Sequence, residues 1–270
     1  RCRDANLSAM DRPYTILSCA VSLDGYIDDA SPDRLRLSND EDFDEGDALR
    51  AECDAILVGA GTVRKDNPRL LVRSPARRER RLAAGRTGDL VKAVLCESGK
   101  LDPGARFFVT GDADKVVYTG ASAYPAAEQR FLDSPGTSVV DAGDPPTLDV
   151  ILADLARRGV KRLLVEGGTH VHTLFLTSGM ADELRLAVAP FFVGDATAPR
   201  FTGPGVFPDG PGTPMRLEEV RRLGEIAVMR YRSERAGALG EGTSTEAAAQ
   251  ALEADADGGA IDGTARGTDG

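Results

Sequence analysis

At 270 residues, with 41% hydrophobic and 28% charged side chains, the chain is long enough to bury one large core or two small ones. A formal net charge of -10 argues against a nucleic-acid surface, and no apolar run is long enough to span a bilayer. The charge is uneven: from Glu234 onward eight acidic residues face two arginines, so the remaining body is close to balance and anionic substrates stay open to it.

Residues 1–12 are polar, lack the apolar centre of a signal peptide, and read as a flexible N-terminus. Residues 14–21 form a nearly continuous β-prone run, as expected of a strand buried on both faces, and Asp24-Gly25 turns the chain after it. A helix is predicted from Ser38 or Asn39 through Arg50. A second buried strand follows at 55–59 and runs directly into Gly59-Ala60-Gly61-Thr62-Val63. A strand feeding Gly-x-Gly-Thr is a phosphate-cradling arrangement, although no third glycine completes a dinucleotide fingerprint and no Walker loop is present. The Arg-rich stretch 74–88 reads as a solvated, loop-like insertion.

Strands are predicted at 92–96, 115–118 and 137–140. Thr147 is expected to cap a helix whose apolar residues Leu148, Ile151, Leu152 and Leu155 follow helical spacing until Gly159. Residues 160–165 form the next strand and lead into Glu166-Gly167-Gly168-Thr169-His170, the stretch around which the chain is organised. Helical spacing of Val171, Leu174 and Phe175 follows, ending at Gly179. Two glycines between a strand and a helix bring backbone N–H groups close to an anion, where the helix start adds partial positive charge. A strand-end carboxylate, Glu166, would sit beside the same crevice. Strands at 182–190 and 225–232 flank a Gly/Pro-rich loop over 194–214. Strands alternating with helices predict a mostly parallel α/β sheet flanked by helices, with the late strands antiparallel at one edge. Residues 234–270 carry too few large apolar groups to fold and read as a disordered acidic tail.

Cys2, Cys19, Cys53 and Cys96 have no metal-ligand spacing and no metal is expected. Buried reduced thiols in a soluble, cytoplasmic protein are the expectation. His170 and His172, the two histidines, read as packing or surface residues of the helix after the second turn.

Together the two glycine turns, Pro13-Tyr14 with Ser22-Leu23-Asp24-Gly25, Asp66-Asn67-Pro68 with Leu70, Asp182-Glu183-Leu184 and Ala189-Pro190 resemble the reductase domain of riboflavin biosynthesis, the RibD C-terminal type, in its reductase-only form. The resemblance covers roughly residues 12–232 and implies one reductase domain over 13–233 with a dihydrofolate-reductase-like fold. It further implies NADPH-dependent reduction of a 5-amino-6-(5-phosphoribosylamino)uracil-type substrate to its ribitylamino product, hydride going to C1′ of the opened, imine-like sugar. Asp66 and Glu166 match the family's catalytic carboxylates. Ser18, Asp24, Arg50 and Arg73 match substrate positions, the arginines meeting its phosphate. Ser38, Gly59, Gly61, Thr62, Val63, Ser98, Gly167, Gly168 and Thr169 match cofactor positions, with Ser98 toward the 2′-phosphate. A twofold homodimer, a phosphorylated pyrimidine ligand, and no membrane or nucleic-acid partner are also implied.

The chain departs from the pattern in three places. Ser18 stands where many bacterial members carry Lys, Arg36-Leu37 stands where an aromatic residue is usual, and Glu97 replaces Asp. These departures keep a same-fold reductase of dihydrofolate, or of another pyrimidine or pterin, in view. A non-catalytic nucleotide-binding module is a further alternative.

Overall fold

The computed structural model describes residues 12–31 and 33–235. In chain order the elements are β1 (Tyr14–Val21), α1 (Asp40–Glu52), β2 (Ala55–Gly59), α2 (Ala60–Asp66), α3 (Pro75–Ala83), β3 (Val91–Leu95), α4 (Arg106–Val109) and β4 (Lys115–Thr119). There follow α5 (Tyr124–Phe131), β5 (Thr137–Asp141), α6 (Leu148–Arg157), β6 (Arg162–Val165), α7 (Thr169–Thr177), β7 (Glu183–Val188), β8 (Arg216–Leu223) and β9 (Ile226–Arg232). One sheet takes them in the order β5-β4-β3-β2-β6-β1-β7-β9-β8. The seven strands from β5 to β7 are parallel, and β9 and β8 add antiparallel at the edge beyond β7. The expected mixed, mostly parallel sheet is therefore observed.

Period-two alternation sorts the strand side chains into two cores. Leu17, Leu57, Leu163 and Val165 join Ile151 and Leu155 of α6 and Phe175 of α7 on one face. Ile16, Ile56, Val58 and Leu164 join Phe107, Phe108 and Phe131 on the other. Both faces being covered, the central strands read as continuous apolar runs.

Several expectations are corrected. The 74–88 stretch is solvated over most of its length but is not loop-like, because Pro75–Ala83 is helical, with Ser74 accepting from Arg77 N–H at its start. Arg81, only 4% exposed, donates to the carbonyls of Ala51, Cys53, Thr87 and Asp89, so its charge is spent tying α3 to the end of α1. Thr147 precedes α6 without a side-chain cap. The glycine turn read after β2 is the start of a helix, since residues 60–66 form α2. Arg12, assigned to the flexible N-terminus, makes a bidentate pair with buried Asp182 at 2.6 and 2.8 Å. The rest of that terminus lies outside the described residues, as does the acidic tail from residue 236 onward. Of the cysteines, Cys19, Cys53 and Cys96 are free thiols, the last two buried, and Cys2 lies outside the described residues.

The short helices α4 and α5 and the strand β8 carry no periodic signal long enough to be read from sequence. β8 is exposed along both faces and forms a hairpin with β9 through Gly224, at φ +57°. Its ion pairs Arg221–Glu45 and Arg216–Glu218 charge an otherwise open sheet edge. Among the described residues no helix is long and apolar enough to cross a membrane.

Candidate active site

The parallel strands β2, β3 and β6 end on the same side of the sheet, where a cleft of about 610 Å³ opens. Its walls are the start of α2 (Gly59 to Thr62), the end of β3 and the turn after it (Leu95 to Ser98), and the turn from β6 into α7 (Gly167 to Val171). Gly168, the N-cap of α7, provides no side-chain cap, and the first internal bond of that helix is His172 N–H to the Gly168 carbonyl at 3.0 Å. The N–H groups of Thr169, His170 and Val171 therefore have no intrahelical acceptor and meet the cleft with the positive end of the helix dipole. Gly59, the N-cap of α2, is likewise without a side-chain cap.

The glycines have distinct physical duties. A Cβ on Gly59 would lie 3.0 Å from Val171 Cγ2, and one on Gly167 would lie 3.0 Å from both Val171 Cβ and Cγ1. These two let α7 seat against the ends of β2 and β6. Gly168 takes φ +75°, which disfavours any side chain, whereas Gly61 has open space where a Cβ would be.

Of the anticipated cofactor residues, Gly59, Gly61, Thr62, Ser98, Gly167, Gly168 and Thr169 line the cleft. The Thr169 hydroxyl is already committed to the Arg200 carbonyl, leaving its backbone N–H to the cleft. Val63 points instead into the core, 2% exposed, beside Leu70 and Val72. Ser38 lies outside the cleft wall and does not cap α1. That cap is Asn39, whose side chain accepts from Asp42 N–H at 2.9 Å and donates to the Leu223 carbonyl at 2.8 Å.

Glu166 extends from β6 and receives a bidentate pair from Arg50 of α1, 2.8 Å from Nε to Oε1 and 2.5 Å from Nη2 to Oε2. Both side chains are about one-fifth exposed, at 20% and 21%. Asp66 ends α2 with Arg34 at 3.7 Å. The cap of this helix is Asn67, in the left-handed region at φ 41°, whose side-chain oxygen accepts from Arg106 N–H at 2.7 Å. Arg73 donates to the Phe43 carbonyl at 2.6 Å and lines a separate cavity of about 400 Å³ with Asp47 and Arg77. Ser18 faces Arg185 in register, and Arg185 is spent on Asp42 at 2.5 Å and Glu45 at 3.3 Å. Asp24 accepts from Ser22 Oγ and from the N–H groups of Val193 and Gly194. Burial alone would raise its pKa, but these hydrogen bonds hold it at about 2, so it anchors the loop after β7.

The sequence profile of the RibD C-terminal domain matches residues 13–229. The chain belongs to this family. An Archaeoglobus fulgidus protein named 2,5-diamino-6-ribosylamino-4(3H)-pyrimidinone 5′-phosphate reductase is 33% identical over 216 residues, covering 79% of this chain and 95% of that one. A Methanothermobacter thermautotrophicus protein of the same name is 34% identical over 221 residues, covering 82% and 98%. Among solved structures, a pyrimidine reductase-like protein from Corynebacterium diphtheriae has the same fold, with TM-score 0.70 at 24% identity, covering 84% of this chain and 94% of that one. The relatives are named as reductases of a pyrimidinone 5′-phosphate, an activity that implies a nicotinamide cofactor.

His172, on α7, is 1% exposed. Neither ring nitrogen has a partner among the described residues, and the ring packs 5.1 Å from Phe201. Burial lowers its pKa to about 4 against the opposing pull of the Phe201 backbone and Glu166. His170 is exposed and lines the cleft, whereas His172 is buried on the other side of α7's first turn. A His whose folded pKa is depressed contributes full stability above its unfolded pKa and loses it as pH falls through that value toward the folded one. Between about pH 6.5 and 4 the wild type should lose on the order of 3 kcal/mol that a His172→Phe variant retains. Urea unfolding of both proteins across that range checks this, and parallel curves would show His172 to be uninvolved.

Arg64 also lines the cleft and was not anticipated. It lies three residues past Gly61 on the same face of α2, a spacing that becomes readable once 60–66 is known to be helical.

Proposed function

We propose that the chain is an NADPH-dependent reductase acting on a phosphoribosylamino-pyrimidine, forming the ribitylamino product of riboflavin biosynthesis. The observation that carries this reading is the uncapped α7 N-terminus opening onto a cleft at the strand ends, with the Arg50–Glu166 pair one residue before its glycine turn. Free N–H groups, a glycine with φ +75° and an open face at Gly61 suit a pyrophosphate. The relatives of 33–34% identity and near-complete coverage are named for the 2,5-diamino pyrimidinone, which favours that form of the ring over the uracil form.

In this reading the cofactor supplies the hydride, and the protein supplies position and charge. The α7 N–H groups hold the pyrophosphate. Glu166 accepts the N–H edge of the pyrimidine and orients C1′ of the opened sugar, with Asp66 as the second carboxylate for proton relay. Arg50 fixes Glu166 through Nε and Nη2, leaving Nη1 for an oxygen of the substrate phosphate. Arg73 lines a separate cavity with Asp47 and Arg77, away from the walls of the cleft, so Arg50, paired with the Glu166 that precedes the α7 turn, carries the phosphate role here. Cytoplasmic placement and a homodimer belong to the same proposal. The open β8 edge, with Leu217 and Val220 at 50% and 59% exposure, supports the dimer, and light scattering showing a single-chain mass would remove it.

The deciding assay follows NADPH oxidation with the 2,5-diamino pyrimidinone substrate, then the uracil form, then dihydrofolate. Turnover of the first supports the proposal. Turnover of dihydrofolate alone would give the cleft to another reductase, and nucleotide binding without any turnover would reduce it to a binding module.

A further inference from the structure

Among the described residues, Arg64 and Glu97 are the only Lys, Arg, Asp or Glu side chains lining the cleft. Arg64 Nη2 donates to the Lys100 carbonyl at 3.0 Å and contacts Cys96 Sγ at 3.6 Å. Both partners are neutral. No carboxylate compensates its charge among the described residues, unlike neighbouring Lys65, which sits on Asp28 at 2.6 Å. Ser98 Oγ contacts the same Cys96 Sγ at 3.8 Å and accepts from Lys100 N–H at 3.4 Å. A guanidinium and a hydroxyl thus converge on one spot at the end of β3, with the exposed Glu97 next to them in sequence.

This spot lies two strands from the α7 N-terminus, because β2 separates β6 from β3. Two strand spacings are roughly 10 Å, which suits the reach from a pyrophosphate to the far side of its adenosine ribose. Guanidinium plus hydroxyl is a donor set for a phosphate dianion, whereas a carboxylate at a strand end accepts from a ribose 2′-hydroxyl and repels a 2′-phosphate. The open path to solvent keeps both effects screened by salt.

We infer that Arg64, assisted by Ser98, receives the 2′-phosphate of the cofactor, and that Glu97 sets how strongly the phosphorylated nucleotide is preferred over the unphosphorylated one. The inference rests on reading the cleft as a nicotinamide-nucleotide site and assigns the group that selects within it.

The test is calorimetric titration of the full chain with 2′,5′-ADP and with 5′-ADP, which needs no turnover. Wild type should bind 2′,5′-ADP more tightly. Arg64→Gln should weaken 2′,5′-ADP by about tenfold or more while changing 5′-ADP by less than about twofold, and Arg64→Lys should recover part of the loss. Glu97→Gln should tighten 2′,5′-ADP a few-fold, about threefold at low salt, without tightening 5′-ADP. Equal loss of both ligands in Arg64→Gln would mean that Arg64 only braces the turn carrying Lys100, and no loss of either would detach it from the cleft. Both results overturn the inference. A wild type that binds neither nucleotide would overturn the cofactor reading itself and this inference with it. Thermal unfolding of each variant separates lost binding from lost fold.

Discussion

Glu166→Gln is expected to lower turnover at least tenfold while leaving cofactor affinity nearly unchanged. The substitution preserves side-chain shape and removes the negative charge. In the proposed reaction that charge accepts the pyrimidine N–H edge, and removing a positioned acid–base group commonly costs about 10²-fold or more, so tenfold is a floor. The variant also leaves Arg50 without its anion, where Nε and Nη2 now find Oε1 and Oε2 at 2.8 and 2.5 Å. Breaking a largely buried charged pair costs about 1–3 kcal/mol, so the melting temperature should fall with turnover. Steady-state kinetics and nucleotide titration, run well below the variant's melting temperature, separate the two effects. Wild-type turnover in Glu166→Gln would remove this residue from the reacting site. Weakened nucleotide binding would instead show that Glu166 supports the turn before α7.

The second large effect is expected at Gly167. A methyl group there would stand 3.0 Å from Val171 Cβ and Cγ1 and 3.3 Å from Gly59 N, with backbone behind and a helix in front. Val171 is in the first turn of α7 and 2% exposed, so relief requires the helix start to move. Gly167→Ala should cost about 1–3 kcal/mol of stability by overpacking and weaken NADPH about tenfold or more by displacing the N–H groups of that turn. Gly61→Ala is the contrasting variant. It lies inside α2 with nothing within 4 Å of where a methyl group would stand, so stability should rise by up to about 1 kcal/mol. If Gly167→Ala binds NADPH as tightly as wild type, the α7 start is not the pyrophosphate cradle.

Glu166 illustrates how a residue can be read from sequence while its wiring cannot. Glu166 was legible as a strand-end acid before two glycines, because strand, turn and helix signals all lie within a dozen consecutive residues. Its partner was not, since Arg50 stands 116 positions earlier and reads equally well as a phosphate ligand. The same holds for α3. Five arginines over 77–86 look solvated, yet Arg81 finds four backbone carbonyls that exist as a cluster only after α1 and β3 have packed. Asn39 won the cap of α1 from Ser38 because the chain returns at Leu223 to accept its amide.

Along the chain, then, local chemistry determined the parallel strands, the helix after Gly168 and the antiparallel edge. Alternation, helical spacing and glycine turns are each complete within about ten residues and are enforced by backbone sterics wherever the segment sits. Tertiary structure decided which charges are spent and which remain free: Arg185 on Asp42, Arg12 on Asp182, Arg50 on Glu166, and Arg64 left facing the cleft. Ion pairs and buried hydrogen bonds depend on distances of a few ångströms between segments far apart in sequence, and those distances come into being only when the sheet assembles.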